Sequence, residues 1–504
     1  MERYRELLML LSAVIPLLWL CYALIFRVTK PYLACIISLL VTILGAIFFW
    51  DVTINIIYWS IIDGIVSSLY PIIWTIFGAL FTYRLICETE AIDGIKRSLS
   101  GISDKKIIQA LIIAFCFGAL LEGIAGFGTS VIVPSAILLS LGFPLYQSAI
   151  VSLLSNTIPV VYAAIGVPVI ALARVTNLPI KALSGTIGLQ LFPVTLLIPF
   201  FIKRELKESA SIFLLLGTGF SFAITQSLVG WYIGPELPAI LASFFTIGFL
   251  ILYLRLVEKR NIKEKVSKED LRSWVPYILI VLLILITRFS KGMSEILTSY
   301  PLSLTLRLEP INKSIKIDPL YTPGTLILIS TIIGGLILNA RLIDYKKALL
   351  GTLIQILPTI SIITSMMAMA NIMSYAGMTK FLAIKLIQIF GSFYPFISPF
   401  LGAIGTFLGG SDTASNVLFG TLQTEAGKSI GVPQVWLASA NASGATGGKL
   451  ISLQNLTLAV SGINKKGEEG KLMRIIFPYS LIYLVIMGLI VYIGAIILNY
   501  FGLR

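Results

Sequence analysis

Long apolar runs cover most of the chain and are separated by short polar segments. A membrane-spanning helix needs about 20 apolar residues, so these runs predict about 12 crossings together with shorter broken pieces. The first run follows the polar start of the chain without a small-residue cleavage site, which indicates a retained first span. The other clear runs lie at 31–50, 56–83, 185–202, 210–228, 235–254, 273–287, 322–338, 347–373, 381–399 and 475–498. The pattern predicts an all-α polytopic membrane protein.

The composition supports this class. Hydrophobic residues make up 57% of the 504 residues and charged residues only 12%, whereas an average soluble domain carries roughly 25% charged residues. Histidine is absent, which excludes His-based zinc sites and Ser-His-Asp catalysis. The four cysteines show no paired spacing, so we expect no metal site, no disulfide and no cofactor. We expect a multi-pass protein of the plasma membrane, surrounded by lipid, and not an enzyme.

Basic residues are concentrated in particular loops, and their excess gives the chain a formal net charge of +14. On a soluble protein such a charge would suggest nucleic acid. In membrane proteins Lys and Arg mark the cytoplasmic loops, so we expect no nucleic-acid partner. The densest basic stretch, 255–272, is therefore placed in the cytoplasm. Counting crossings from it places 84–106 in the cytoplasm as well, 288–321 outside, and the N-terminus outside.

Two regions, 107–173 and 381–460, are not simple spans. Stretches rich in Gly, Ser, Thr and Asn interrupt their apolar segments, at 122–130 and 155–159 in the first region and at 409–413 and 441–449 in the second. A Gly-x-Pro turn lies between the two interruptions of each region, at Gly142 and at Gly431. Because the regions are entered from opposite sides of the membrane, they are predicted to be inverted repeats, a layout typical of the binding site of secondary transporters.

This layout predicts five parts of the chain. They are N-terminal scaffold helices (1–106), a first broken-helix transport module (107–184), central scaffold helices (185–380) with the cytoplasmic loop 255–272 and the outer loop 288–321, a second broken-helix transport module (381–460), and a C-terminal helix (461–504). The two transport modules contain the interrupted regions, and we expect a binding site where they meet halfway through the bilayer.

Each interruption places the start of a helix inside the membrane. The N-terminus of a helix carries about half a positive charge and free N–H groups, which suit a small anion. Thr129 and Ser130 would open one such helix after Gly128, and Ser411, Asp412 and Thr413 would open the other. The alternatives are close helix packing for the Gly and Ser residues and a helix N-cap for Asp412.

Three charged residues lie in the interruptions themselves: Glu122, Asp412 and Lys449. An ionised side chain at the bilayer centre costs roughly 2.5–3.5 kcal/mol, so each of them needs a partner or a function. Lys449 could pair with either acid or neutralise a bound carboxylate. Glu122 could hold a transferable proton.

The glycine-rich segments resemble those of the lactate permease family of membrane carriers. The similar segments are Leu121–Thr129, Leu154–Pro159 with Gly166–Pro168, Gly410–Asn416, and Ala440–Gly444 followed by Gly448 and Lys449. Their order and spacing agree over nearly the whole chain. The resemblance implies symport of protons with L-lactate or a related small 2-hydroxy monocarboxylate, such as glycolate or D-lactate.

The resemblance implies roles for individual residues as well. The residues expected to bind substrate are Gly126, Gly128, Thr129, Ser130, Asn156, Ser411, Thr413, Asn441, Ser443 and Lys449, and Glu122 or Asp412 would carry the proton. A sodium-coupled carboxylate carrier is the main alternative, because broken helices also supply backbone carbonyls for Na⁺. A channel would need a continuous polar pore, which two interrupted regions do not favour. The sequence leaves the oligomeric state open.

Overall fold

The protein is almost entirely helical. The computed structural model describes residues 2–26, 28–126, 128–258, 267–311, 313–465 and 467–501. The helices up to residue 232 are α1 (Glu2–Ile25), α2 (Pro31–Phe49), α3 (Ile54–Ser67), α4 (Trp74–Glu88), α5 (Ala91–Ser100), α6 (Lys106–Ala110), α7 (Gly118–Ile124), α8 (Thr129–Ser140), α9 (Leu145–Asn156), α10 (Ala163–Thr176), α11 (Ile180–Leu206) and α12 (Ile212–Tyr232). π-helical turns join α3 to α4 (Ser68–Ile73) and α6 to α7 (Leu111–Phe117), and a 3-10 turn (Pro159–Tyr162) precedes α10.

The remaining helices continue in the same manner. They are α13 (Pro238–Leu256), α14 (Lys268–Arg272), α15 (Val275–Phe289), α16 (Lys291–Leu297), α17 (Pro323–Ile337), α18 (Leu342–Tyr375), α19 (Met378–Phe390), α20 (Tyr394–Gly409), α21 (Asp412–Ile430), α22 (Gln434–Ile451), α23 (Leu453–Gly462) and α24 (Glu469–Tyr500). An antiparallel hairpin of β1 (Leu304–Leu308) and β2 (Lys313–Ile317) pairs Leu304 with Ile317.

The number of long apolar helices agrees with the number of spans that the sequence predicts. In the described part of the chain, 12 helical segments are long and apolar enough to cross a membrane. The all-α polytopic class is therefore confirmed. The predicted module boundaries at 184, 380 and 460 fall inside α11, α19 and α23, so the division into modules stays a prediction.

Two predicted segments differ from the structure. The run at 381–399 was expected to form one span, but α19 ends at Phe390 and α20 begins at Tyr394. Gly391 between them has a positive φ of 55°, a left-handed backbone that ends the helix. The outer segment 288–321 is not a plain loop, since it contains α16 and the β-hairpin.

Part of the predicted cytoplasmic loop, residues 259–266, and Phe127 in the first interruption lie outside the described residues.

Ion pairs group the loops into two opposite faces. On one face Arg97 bonds Asp270 at 2.9 Å and Lys105 bonds Glu258 at 2.7 Å, which ties the basic 84–106 segment to both ends of the 255–272 loop. On the other face Arg288 bonds Glu236 at 2.6 Å, and Lys313 of the hairpin bonds Asp63 at 2.6 Å. The two basic segments therefore share a face, as the crossing count requires.

Helices α7 and α8 form a hairpin that enters and leaves on one face. Gly118, at the start of α7, packs against Ser130 and Pro134 of α8. The ammonium of Lys106 lies 5.9 Å from the ring centre of Phe143. The two ends of the hairpin that are farthest from the interruption therefore lie close together. The chain between them does not cross to the opposite face.

Helices α20 and α21 form a second hairpin. The Tyr394 hydroxyl at the start of α20 donates to Gln423 Oε1 at 3.0 Å, far along α21. Nearer the interruption, Ser415 Oγ donates to the Gly402 carbonyl at 2.7 Å. The second helices of the two hairpins have different neighbours, since α8 packs against α23 whereas α21 packs against α10.

The expected interruption at 441–449 is wrong. Helix α22 runs unbroken through these residues, and the chain leaves the helix at Ser452 instead. The small residues allow close helix packing instead. A Cβ on Gly444 would lie 2.0 Å from the carbonyl oxygen of Pro399, and a Cβ on Gly448 would lie 2.0 Å from the carbonyl oxygen of Ala403. Glycine at these positions lets α22 contact the backbone of α20.

Gly448→Ala should therefore separate α20 from α22. The added Cβ would meet backbone, which cannot swing aside, and we expect a loss of about 1–3 kcal/mol of stability. Gly248→Ala in α13 is the matched control, because a Cβ there meets nothing within 4 Å. Thermal unfolding in detergent should show a lower midpoint for Gly448→Ala only. Equal midpoints for the two variants would contradict the close contact.

Candidate functional site

The interruptions of the two hairpins meet at one internal cavity of about 160 Å³, where a single water molecule needs roughly 10–15 Å³. Its polar lining comes from Glu122 and Gly126 beside the first interruption, from residues 409–413 at the second, and from Lys449 and Gln454. Two of the stretches that the sequence marked as helix breaks, 122–130 and 409–413, are thus broken, and they lie side by side.

Glycine makes the first interruption possible. Gly126 and Gly128 have φ values of +63° and +78°, a backbone region that other residues enter at a cost. A Cβ on Gly128 would also lie 2.1 Å from Leu458 Cδ1. Gly128 is the N-cap of α8, so Thr129 opens the helix as predicted. The Thr129 hydroxyl donates to the Gly126 carbonyl at 3.0 Å and is used within the turn.

The second interruption is built in a similar way. Gly410 ends α20 with a φ of +64°, and Ser411 caps α21 by accepting from the Ala414 N–H at 3.3 Å. Ser411 therefore fills the cap position, and the alternative that Asp412 is only an N-cap is wrong. Asp412 is the first residue of the helix, 2% exposed. The Ser411 hydroxyl has no acceptor in the described chain and can donate to a ligand.

Lys449 is the cation of the cavity. Its side chain is 7% exposed, and its ammonium donates to the Gly410 carbonyl at 2.8 Å, at the negative end of the α20 dipole. It acts electrostatically on the carboxylates of both Glu122 and Asp412. Within the described residues it forms no direct ion pair with either acid.

The two acids are incompletely bonded. Neither oxygen of Asp412 has a hydrogen bond of normal geometry in the described chain, although the Thr406 hydroxyl, itself without a partner, is close enough to interact with it. One oxygen of Glu122, Oε1, also lacks a partner. A buried carboxylate with free acceptor positions is unfavourable unless it is protonated or a donor arrives with a ligand.

The other oxygen of Glu122 is bonded to the Ser130 hydroxyl. That hydroxyl also lies 2.7 Å from Asn156 Oδ1, yet it has only one proton to donate. Either a protonated Glu122 donates to Ser130, which donates to Asn156, or the Asn156 amide is turned so that its NH₂ group donates. In the first arrangement, a proton on Glu122 allows both of these hydrogen bonds to form.

The predicted substrate residues do not all line the cavity. Gly126, Ser411, Thr413 and Lys449 line it, as do the two acids. Gly128, Thr129, Ser130 and Asn156 lie in and behind the first interruption.

Two predicted residues face neighbouring helices instead of the cavity. The Asn441 amide donates to Asn416 Oδ1 at 3.0 Å in α21, and Ser443 Oγ donates to Gln190 Oε1 at 2.8 Å in α11. Both side chains connect α22 to its neighbours.

Sequence reasoning missed two polar residues of the lining, Gln454 and Thr359. Gln454 Oε1 lies 2.1 Å from where a Cβ on Gly410 would be, so its amide covers the second interruption. Thr359 follows Pro358 inside α18. Each is a polar residue in a largely apolar run, and this feature of the sequence could have identified both.

Comparison with known proteins decides the family. A family model described as L-lactate permease matches residues 9–498. The chain belongs to the L-lactate permease family. It is therefore a transporter and not an enzyme, and a multi-pass integral protein of the cell membrane.

Named relatives extend over most of the chain. An L-lactate permease of Streptococcus iniae is 36% identical and covers 85% of this chain and 92% of its own length. Glycolate permease GlcA of Escherichia coli is 32% identical over 96% of this chain and 95% of its own. Among solved structures, the YdaH transporter of Alcanivorax borkumensis has a TM-score of 0.50 at 12% identity, with 88% of each chain covered. This last likeness concerns the fold alone.

Lys449→Met should destabilise the protein, because Lys449 is the only cation that lines this cavity in the described chain. Two buried carboxylates would lose their counter-charge, at a cost of about 3–5 kcal/mol. The measurement is the thermal unfolding midpoint. Adding Asp412→Asn to Lys449→Met should recover part of the loss, because one carboxylate is then neutral.

Lys428→Met is the control, since Lys428 is half-exposed and forms a surface pair with Glu425 at 2.7 Å. Equal midpoints for Lys449→Met and Lys428→Met would show that Lys449 does not compensate the buried acids.

Proposed function

We propose that this protein is a secondary active transporter that imports L-lactate, or a related small 2-hydroxy monocarboxylate such as glycolate or D-lactate, by proton symport across the plasma membrane. The substrate class is supported by the relatives named for lactate and for glycolate. The observation that carries the proposal is the single cavity lined by both helix interruptions, two buried acids and one buried lysine.

The second interruption supplies the anion-binding groups. The first turn of α21 presents unsatisfied N–H groups and the positive end of its dipole. The Ser411 hydroxyl and the Lys449 ammonium lie at the same cavity wall. A substrate carboxylate there would accept from backbone, hydroxyl and ammonium together, and its 2-hydroxyl could donate to the free oxygens of Asp412.

The charges of the cavity explain why a proton would be needed. With both acids ionised, Glu122, Asp412 and Lys449 leave one negative charge in excess, which repels a carboxylate. One proton brings the empty cavity to neutrality, so proton binding favours substrate binding. Glu122 is the proposed proton carrier, because its contact with Ser130 and Asn156 accommodates the protonated form.

The membrane potential also favours the entry of a proton together with lactate. A lactate anion entering alone would move against an inside-negative potential, at about 2.3 kcal/mol per charge for each 100 mV. A proton that enters with it cancels this cost. Symport is therefore the arrangement that allows accumulation.

The packing of the hairpins supports two oppositely oriented modules. In the first hairpin α8 packs against α23, and in the second α21 packs against α10, which α7 also contacts. Gly462 at the end of α23 contacts Ser135, whereas Gly420 of α21 contacts Val175 near the end of α10. The proposed inversion would place one hairpin toward each side of the membrane, as alternating access requires.

The test is uptake of labelled lactate by purified protein in lipid vesicles. We expect accumulation with an inward proton gradient and no sodium, because the coupling charge is a proton on a buried acid. An inward sodium gradient at equal pH should drive none. Accumulation that requires sodium would contradict proton symport and favour the sodium-coupled carrier.

Uptake by variants in the same vesicles tests which acid carries the proton. Glu122→Gln should lose gradient-driven accumulation while retaining exchange of internal for external lactate, since the neutral side chain mimics the protonated state. Asp412→Asn should keep some accumulation. Glu425→Gln, which changes a surface acid paired with Lys428, is the control. Equal and complete loss of both activities in both site variants would contradict the assignment of Glu122.

A further inference from the structure

A second cavity, of about 270 Å³, opens on the face opposite the basic loops. The distribution of Lys and Arg predicts that this face is outside. Four cationic side chains line the cavity, from Arg174, Lys181, Arg288 and Lys316, and two acids, Glu236 and Asp318, accompany them. Cations are therefore in excess at its wall.

Three of the four cations already have partners. Arg288 bonds Glu236 at 2.6 Å and stacks 3.9 Å from the Tyr321 ring. The ammonium of Lys181 donates to the Tyr232 carbonyl at 3.0 Å. Lys316 pairs with Asp318 at 3.4 Å. Each of these three cations thus has a polar partner within the protein.

Arg174 is different. It is partly buried in the last turn of α10 and, within the described residues, has neither a hydrogen bond nor an ion pair. The carboxylates that act on it electrostatically include Asp63 and Asp318, and these are bonded to Lys313 and Lys316. A guanidinium withdrawn from water without a counter-charge favours a bound anion, and its planar fork matches a carboxylate.

We propose that this outer cavity is a second carboxylate-binding site, in which Arg174 holds a small carboxylate at the entrance of the transport path. The proposal rests on the proposed carboxylate transport for the identity of its ligand. The site is separate from the central cavity, and Lys449, Ser411 and Asp412 take no part in it.

Helix α10 connects the two cavities. Ile170 and Arg174 line the outer one, while Val167 and Pro168 line the central one. At a rise of 1.5 Å per residue, Arg174 lies about 10 Å along the helix from Val167. The segment from the α3–α4 junction into α4 also borders both cavities, with Pro71 at the outer cavity and Ile76 at the central cavity. An anion released from Arg174 thus has a short distance to travel to the central site.

The test is equilibrium binding of labelled lactate to the purified full-length protein, together with uptake kinetics in vesicles. Wild type should bind a second lactate per chain, and Arg174→Gln should lose that second site. The KM for uptake should rise about tenfold, as expected for loss of a charged bidentate contact, while the maximal rate stays within twofold. Arg174→Lys, which keeps the charge and loses the fork, should give an intermediate KM.

Lys428→Gln is the matched control, because it removes one exposed positive charge near the end of α21 and Lys428 does not line the cavity. It should bind and transport as wild type does. The proposal is overturned if wild type binds one lactate per chain, or if Arg174→Gln matches Lys428→Gln in both stoichiometry and KM. If Arg174→Gln does not fold, an unchanged KM in Arg174→Lys overturns it. Absence of lactate transport by wild type would overturn the proposed function instead.

Discussion

Backbone N–H and C=O groups cannot be left facing lipid, where each unsatisfied group costs several kcal/mol. A helix that stops inside the membrane must therefore be enclosed by protein. In this chain α7 stops before Gly128 and α20 stops at Gly409, and each is followed by a helix that returns toward its own face. The two interruptions cover one another around a single cavity. The rest of the bundle surrounds this meeting point, where Glu122, Asp412 and Lys449 are buried.

The same enclosure gives the charged groups their chemistry. Lys449 is bonded to the end of α20, which holds its ammonium at the cavity wall between two acids that it does not touch directly. Both acids keep unused acceptor positions. A site of this composition changes its net charge with every proton it takes up, so the occupancy of an anion and of a proton become linked. In the proposed symport the membrane potential makes that linkage useful, because a proton and an anion would move together without net charge.

The sequence predicted the helix starts at Thr129 and after Gly410 because glycine is the residue that a left-handed backbone requires. It failed at 441–449, because clusters of small residues serve close packing as well as helix breaks, and only the position of α20 distinguishes the two. Asn441 and Ser443 could not be assigned for the same reason: which way a buried helix is rotated depends on its neighbours. Gln454 and the unpartnered Arg174 acquire meaning only when distant segments are brought together.

The central claim is that a small carboxylate binds between the two interruptions. An experimental structure of the purified protein saturated with lactate tests it most directly. The account predicts ligand density at the start of α21, within hydrogen-bond distance of Ser411 and Lys449 and facing Asp412, with both helix breaks retained. Density confined to another part of the protein, or continuous helices through Gly128 and Gly410, would contradict it.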